Sequence, residues 1–257
     1  MTAYQVVARN YAETSENRIH SDDIARRYGF GGALVPGVTV FGHLTRPLVE
    51  RFGERWLSGA MASVRFLKPA YDGDSLTIDD TDQPPGQQVR CSNDQGTLLA
   101  TLDSTLPTDP PAPEDQRCFE APRKPAERVE ISWDNVVPGQ PFRPWHWQIT
   151  EDGNRDYAAQ VSDDLPVYRF AAHPHWMLSV ANTALTREYV MPAWIHTGSE
   201  IRFRELLKTG DTVEIRAVPV DKWERKGHHF LRVYLAYYRD THLTTEIFHT
   251  AIFRLAP

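Results

Sequence analysis

SVRFLKPAYDGDSLTI (63–78) and EIRFRELLKTGDTVEI (200–215) carry the same pattern. Set at one constant offset, Arg65, Phe66, Gly73, Asp74 and Ile78 face Arg202, Phe203, Gly210, Asp211 and Ile215. Each copy reads as a strand, a loop with a Gly-Asp turn, and a strand of alternating residues. The same offset pairs Gly37 with Pro174. These residues open GVTVFGHLTRPLVERFG (37–53) and PHWMLSVANTALTREYV (174–190), two apolar segments of helical length. A shared offset across helix and strands is the mark of a duplicated unit.

Between the copies, LPTDPPAPEDQRCFEAPRKP (106–125) holds too many prolines for a regular helix or strand. It reads as an exposed linker between an N-terminal unit, 1–105, and a C-terminal unit, 126–257. Strands are expected at about 60–68, 74–82, 86–92 and 97–105, with a hairpin turn at NDQG (93–96). The second unit is expected to place strands at about 198–205, 211–221, 228–239 and 244–255. WERKGHHF (223–230) reads as a turn entering a strand. The central helices are expected at 37–51 and 174–189, and Pro47 predicts a kink or an end in the first of them. The fold class is therefore α+β, each unit a long central helix wrapped by a curved antiparallel sheet.

Composition narrows the function. The net charge of −6 offers no basic stripe for nucleic acid. Two cysteines, Cys91 and Cys118, argue against a disulfide framework and suit a reducing, cytoplasmic setting. The first residues lack the apolar core of a signal peptide, and no apolar run has the length of a membrane span. GFGG (29–32) lacks the spacing of a dinucleotide fingerprint. The pairs His173/His175 and His228/His229 have no cysteine beside them, so no metal is expected.

The stretch NRIHSDDIARRYGFGGALVPGVTVFGHLTR (17–46) resembles the hydratase motif of the MaoC-like, R-specific enoyl-CoA hydratases. Asn17, His20, the acidic step after it, Gly29-Phe30, Gly37 and Thr45 carry the likeness. Ser15 stands where that family has its catalytic Asp, and Arg18 where it has Pro. In the second half DDLPVY (163–168) matches in the other sense: Asp163 holds the Asp place, Pro166 the Pro place, and Tyr168 replaces the His. The resemblance implies a tandem, double-hotdog fold. It also implies interconversion of 2-enoyl and 3-hydroxyacyl thioesters carried on coenzyme A or an acyl carrier protein. No redox cofactor follows from it, and a homodimer of the tandem unit is conceivable.

Hydration of an enoyl thioester needs a base for water, a route for the proton to C2, and donors to the enolate oxygen. His20 suits the base, because imidazole titrates near neutral pH. The Gly37 N–H opens a helix and can polarise the thioester carbonyl, and a glycine there admits close approach. The resemblance gives Thr45 a supporting hydroxyl and places Asn17 and Ser15 beside the base. A serine is no base at neutral pH without activation, so His20 works alone or borrows a carboxylate from Glu13, Glu16, Asp22 or Asp163. Asp163, Tyr168 and His173 are the expected substrate contacts of the second half, with Asp163 and Tyr168 either structural there or bordering the same cleft. Two rivals stand beside this reading: a hotdog thioesterase, with Glu188 its nearest carboxylate, and a non-catalytic acyl-binding or partner subunit.

Overall fold

The computed structural model describes residues 3–115 and 127–256. The N-terminal half contributes β1 (Tyr4–Val7), α1 (Asp22–Arg27), α2 (Gly37–Phe52), α3 (Glu54–Gly59), β2 (Met61–Phe66), β3 (Ser75–Gln83), β4 (Gly86–Asn93) and β5 (Leu98–Thr105). The C-terminal half contributes β6 (Val129–Glu130), β7 (Trp145–Gln148), α4 (Glu151–Gln160), α5 (Pro174–Glu188), β8 (Tyr189–Val190), β9 (Ile195–Phe203), β10 (Thr212–Arg225), β11 (His228–Arg239) and β12 (His242–Arg254).

Ten strands form one continuous sheet in the order β1-β3-β4-β5-β2-β9-β12-β11-β10-β7. Read outward from the centre, β2-β5-β4-β3-β1 and β9-β12-β11-β10-β7 are the same series. The halves are therefore related by a pseudo-twofold axis at the antiparallel seam of β2 and β9, where Val64 lies opposite Ser199. This is the double-hotdog architecture. A Cβ on Gly198 would sit 2.7 Å from the Val64 carbonyl oxygen, so the seam needs a residue without a side chain there. Even the isolated bridges obey the repeat: Leu34 pairs with Tyr71, and Ala171 with Lys208, at the offset seen in the sequence.

Two long helices lie against this sheet and pack on each other. α2 buries Phe41, Leu44, Leu48 and Val49, and α5 buries Met177, Leu178, Ala181 and Leu185. Each large aliphatic or aromatic side chain so removed from water stabilises the fold by roughly 1.5–3 kcal/mol. Gly42 marks the crossing, where a Cβ would meet Val161 at 2.8 Å and His175 at 3.0 Å. Pro47 does not end α2, which runs on to Phe52. Proline removes the N–H that would bond the carbonyl four residues back, and the Tyr4 hydroxyl donates to that His43 carbonyl instead.

The proline-rich segment is irregular through its described part, and 108–113 are exposed. It is nonetheless tied to the second half. Arg204 donates to the Pro111 carbonyl at 2.9 Å, Glu114 pairs with Arg202 at 2.9 Å, and Tyr238 donates to Asp115 at 2.7 Å. Residues 116–125 of the expected linker, with Cys118, lie outside the described residues. Cys91 is buried. Among the described residues no helix is long and apolar enough to cross a membrane.

Candidate functional site

His20 closes a short 3-10 turn, Arg18–His20, and Tyr168 occupies the same place in its counterpart, Pro166–Arg169. The chain then diverges. The first half inserts α1 and the Gly-rich loop before reaching Leu34, whereas the second half arrives at Ala171 almost at once. This insertion lets the Leu34 carbonyl accept from His20 Nδ1 at 2.7 Å. A carbonyl can only accept, so the proton resides on Nδ1 and Nε2 keeps its lone pair. Burial holds the imidazole below its ordinary pKa, against the opposing pull of the Leu34 carbonyl. His20 is thus a neutral base at pH 7.

Asn17 fixes the turn. Its side-chain oxygen accepts from the Trp194 N–H at 3.1 Å and caps the turn at Ile19, and its Nδ2 donates to the Trp194 carbonyl at 3.0 Å. The same Nδ2 stands 3.3 Å from His20 Nε2. A two-bond clasp onto the other half therefore sets the height of the base.

Two cavities meet at His20. One, of about 250 Å³, is apolar and is walled by Phe30, Leu34, Val40, Phe66, Leu99 and Ile252. The other, of about 300 Å³, is the more polar of the two: Ser15, Glu16, Thr39, Gln160, Ser179 and Thr183 line it beside Tyr11, Val38 and Tyr157. Asn17, His20, Pro36, Asn182 and Trp194 line both. Gly37 lines the apolar one. It opens α2 without any side-chain cap, and the first amides of a helix have no acceptor within it. Gly37 and His20 line the same chamber, so the positive end of the helix dipole lies at its wall. A Cβ on Gly37 would lie 3.0–3.2 Å from the Phe66 ring, so glycine also makes room for that wall.

The second half seals what the first leaves open. α5 begins with Pro174, and its N-cap His173 accepts from the His175 N–H at 3.0 Å. Asp163 is fully buried. It takes Arg46 at 2.9 Å on one oxygen and His173 Nε2 at 3.3 Å on the other. The Tyr168 ring packs against His173, tilted by 44° with ring centroids 4.2 Å apart. Asp163, Tyr168 and His173 line neither chamber at His20. In this half the three residues are packed and paired with one another and with Arg46.

Thr45 also lies apart from the two chambers. It is wholly buried, donates to the Gly42 carbonyl of its own helix at 2.9 Å, and lines neither chamber. The junction also takes a residue from the other half's helix. The residue matching Thr45 in α5 is Asn182, and it is Asn182 that stands at the junction, its Oδ1 buried and without a partner. The sequence reading passed over Asn182, although the repeat offset alone pairs it with Thr45. Ser15 lines the polar chamber, but its hydroxyl donates to the Asn17 carbonyl at 3.2 Å.

Of the carboxylates His20 could borrow, Glu16 lines the polar chamber, held by Arg128 at 2.8 Å. Asp22 accepts from the Ala33 N–H at 2.7 Å. Glu188 lines neither chamber and accepts from the Arg143 N–H at 3.1 Å. No group of three or more His, Cys, Asp or Glu that could hold a metal occurs among the described residues. One further polar cluster, His196–Ser199–His249, lies at the back of the apolar chamber with bonds of 2.9 and 3.2 Å through the serine.

The whole fold matches solved structures. A MaoC domain protein dehydratase of Chloroflexus aurantiacus superposes with a TM-score of 0.64 at 15% identity, over 99% of this chain and 96% of that one. A Mycobacterium tuberculosis protein described as having a double hotdog fold gives a TM-score of 0.65 at 13% identity, over 98% and 95%. An oleoyl thioesterase of Lactobacillus plantarum gives 0.52 at 13%, over 99% and 96%. At such identities the likeness establishes the double-hotdog fold. No protein-family model matches the sequence, and no curated protein does.

Proposed function

We propose that the protein is a MaoC-like hydratase/dehydratase, adding water to a 2-enoyl thioester to give the 3-hydroxyacyl thioester, and the reverse. The observation that carries this reading is the pairing of an unprotonated His20 Nε2 with the uncapped N-terminus of α2 at one junction. In hydration, a water oxygen forms its bond to C3 while Nε2 takes a water proton. The C2=C3 electrons move onto C2 and the thioester oxygen, and the Gly37 N–H holds the charge that develops there. The imidazolium then returns its proton to C2. His20 performs both transfers, so an Asp at position 15 is not required for the proton balance. Asn182 orients the water from the opposite side through its unpartnered oxygen.

A thioesterase would need a carboxylate or an activated water at the carbonyl carbon. Glu16 is the carboxylate lining the polar chamber, and Arg128 and its exposed position tie it down. The two chemistries separate in one assay with crotonyl-CoA. Loss of the enoyl absorbance without free thiol is the outcome for hydration. Thiol release would replace this reading with the thioesterase, and binding without either signal would replace it with a non-catalytic subunit.

A further inference from the structure

Trp194 lines both chambers and is 4% exposed. Its indole Nε1–H is buried, and among the described residues nothing accepts from it. A buried donor without an acceptor opposes folding. The first half shows how the chain otherwise meets such a group. Trp56 stands one residue from the repeat position of Trp194, and its Nε1–H donates to the Ser104 hydroxyl at 2.9 Å. Ser104 pairs with Ala62 across the sheet, and His249 pairs with Ser199, the repeat mate of Ala62. His249 therefore holds the place of Ser104. Its ring meets the indole at 71° with centroids 6.3 Å apart, and no hydrogen bond joins the two. The backbone of Trp194 is clasped at both N–H and carbonyl by Asn17, which also caps the turn of His20. Indole and base thus share one mount.

We infer that Trp194 is a further catalytic residue, whose indole N–H donates to the oxygen of the water that adds to C3. The inference rests on the hydratase reading. A water molecule brings two hydrogens and two lone pairs to the junction. His20 Nε2, whose contact with Asn17 Nδ2 is long at 3.3 Å, takes one hydrogen. Asn182 Oδ1, buried and without a partner among the described residues, takes the other. An indole nitrogen is a donor only, so Trp194 meets one lone pair and leaves the second for C3. Three protein partners are what a fixed water commonly has. Ser15 adds nothing to this set, because its hydroxyl donates to the Asn17 carbonyl at 3.2 Å. As the O–H bond breaks toward His20, negative charge builds on the oxygen and the hydrogen bond from Trp194 strengthens. In the reverse direction the same N–H holds the hydroxyl oxygen while the C3–O bond breaks and His20 delivers its proton. No bond of the indole is made or broken.

The test replaces Trp194 with benzothienylalanine, which keeps the shape of the bicyclic ring and carries sulfur in place of the N–H. In crotonyl-CoA hydration kcat is expected to fall about 10–100-fold, with KM within about threefold of the wild type. The same replacement at Trp56 is expected to leave kcat within about threefold, because that N–H serves Ser104. A second substrate separates a direct role from a structural one. 3-Chlorobutyryl-CoA yields crotonyl-CoA when its C2 proton passes to His20 and the C3–Cl bond breaks to release chloride. Chloride leaves without a donor, so this elimination is expected to change less than about threefold in the Trp194 variant. Unchanged hydration in the Trp194 variant overturns the inference and leaves the hydratase reading in place. Equal loss of hydration and of chloride elimination does the same, since it marks the indole as structural. A wild type that fails to hydrate crotonyl-CoA removes the hydratase reading and this inference together.

Discussion

His20 Nδ1 donates to the Leu34 carbonyl, and this bond decides which nitrogen keeps its lone pair. Burial lowers its pKa from the ordinary value of about 6.5. A base works only when unprotonated, so activity depending on it stays flat down through pH 6.5 and falls only at lower pH. A kcat/KM profile should place its acid limb below 6.5, and that limb should vanish with the residual activity of His20→Ala. Asp163 should behave oppositely. Its buried carboxylate holds Arg46 and His173, and breaking such a pair costs about 3 kcal/mol. Asp163→Asn is therefore expected to lower the denaturation midpoint while changing kcat less than tenfold. At this scale the sequence brings Asn17 and His20 together because their motif is local. It does not tell what surrounds Thr45 and Tyr168, whose neighbours are set by how two helices cross, which no local spacing encodes.

Along an element, the informative feature is the proline within α2. The strands and both central helices were readable from period and turn chemistry, and their observed limits fall close to those expected. Pro47 suggested a break, yet the helix continues because a distant strand, β1, supplies the missing donor through Tyr4. Tyr4→Phe leaves the His43 carbonyl unpaired in the interior and is expected to cost about 1–3 kcal/mol in urea unfolding. Pro47→Ala restores an N–H at the right position, so the double variant should recover part of that loss. If Tyr4→Phe is equally damaging with alanine at 47, the hydroxyl does something other than replace the proline's missing bond.

The whole molecule is two copies of one unit that differ around the motif. The duplication, the α+β class and the tandem order all follow from the constant offset between residues 63–78 and 200–215. The difference between the motif regions did not, because it depends on α1 and its loop being inserted in one copy and on the charge pairing that fills the other. The interior stores several neutral histidines: burial pushes His43 down to about 4 and His175 and His249 down to about 3. Unfolding releases them to titrate near 6.5, so the unfolded chain binds more protons between about pH 6.5 and those values. Stability should therefore fall with decreasing pH across that window, by up to about 1.4 kcal/mol per pH unit for each histidine. Thermal melts between pH 7.5 and 4.5 measure it, and a flat Tm would contradict the burial.

The central claim is that one junction, at His20, carries the chemistry for both halves. Initial rates of crotonyl-CoA hydration for the wild type, His20→Ala and Asp163→Asn test it most directly. The account predicts a loss of about 10²–10⁴-fold in kcat for His20→Ala, with binding of a saturated thioester largely retained and Asp163→Asn within tenfold of the wild type. The reverse ranking, or full turnover in His20→Ala, would contradict it.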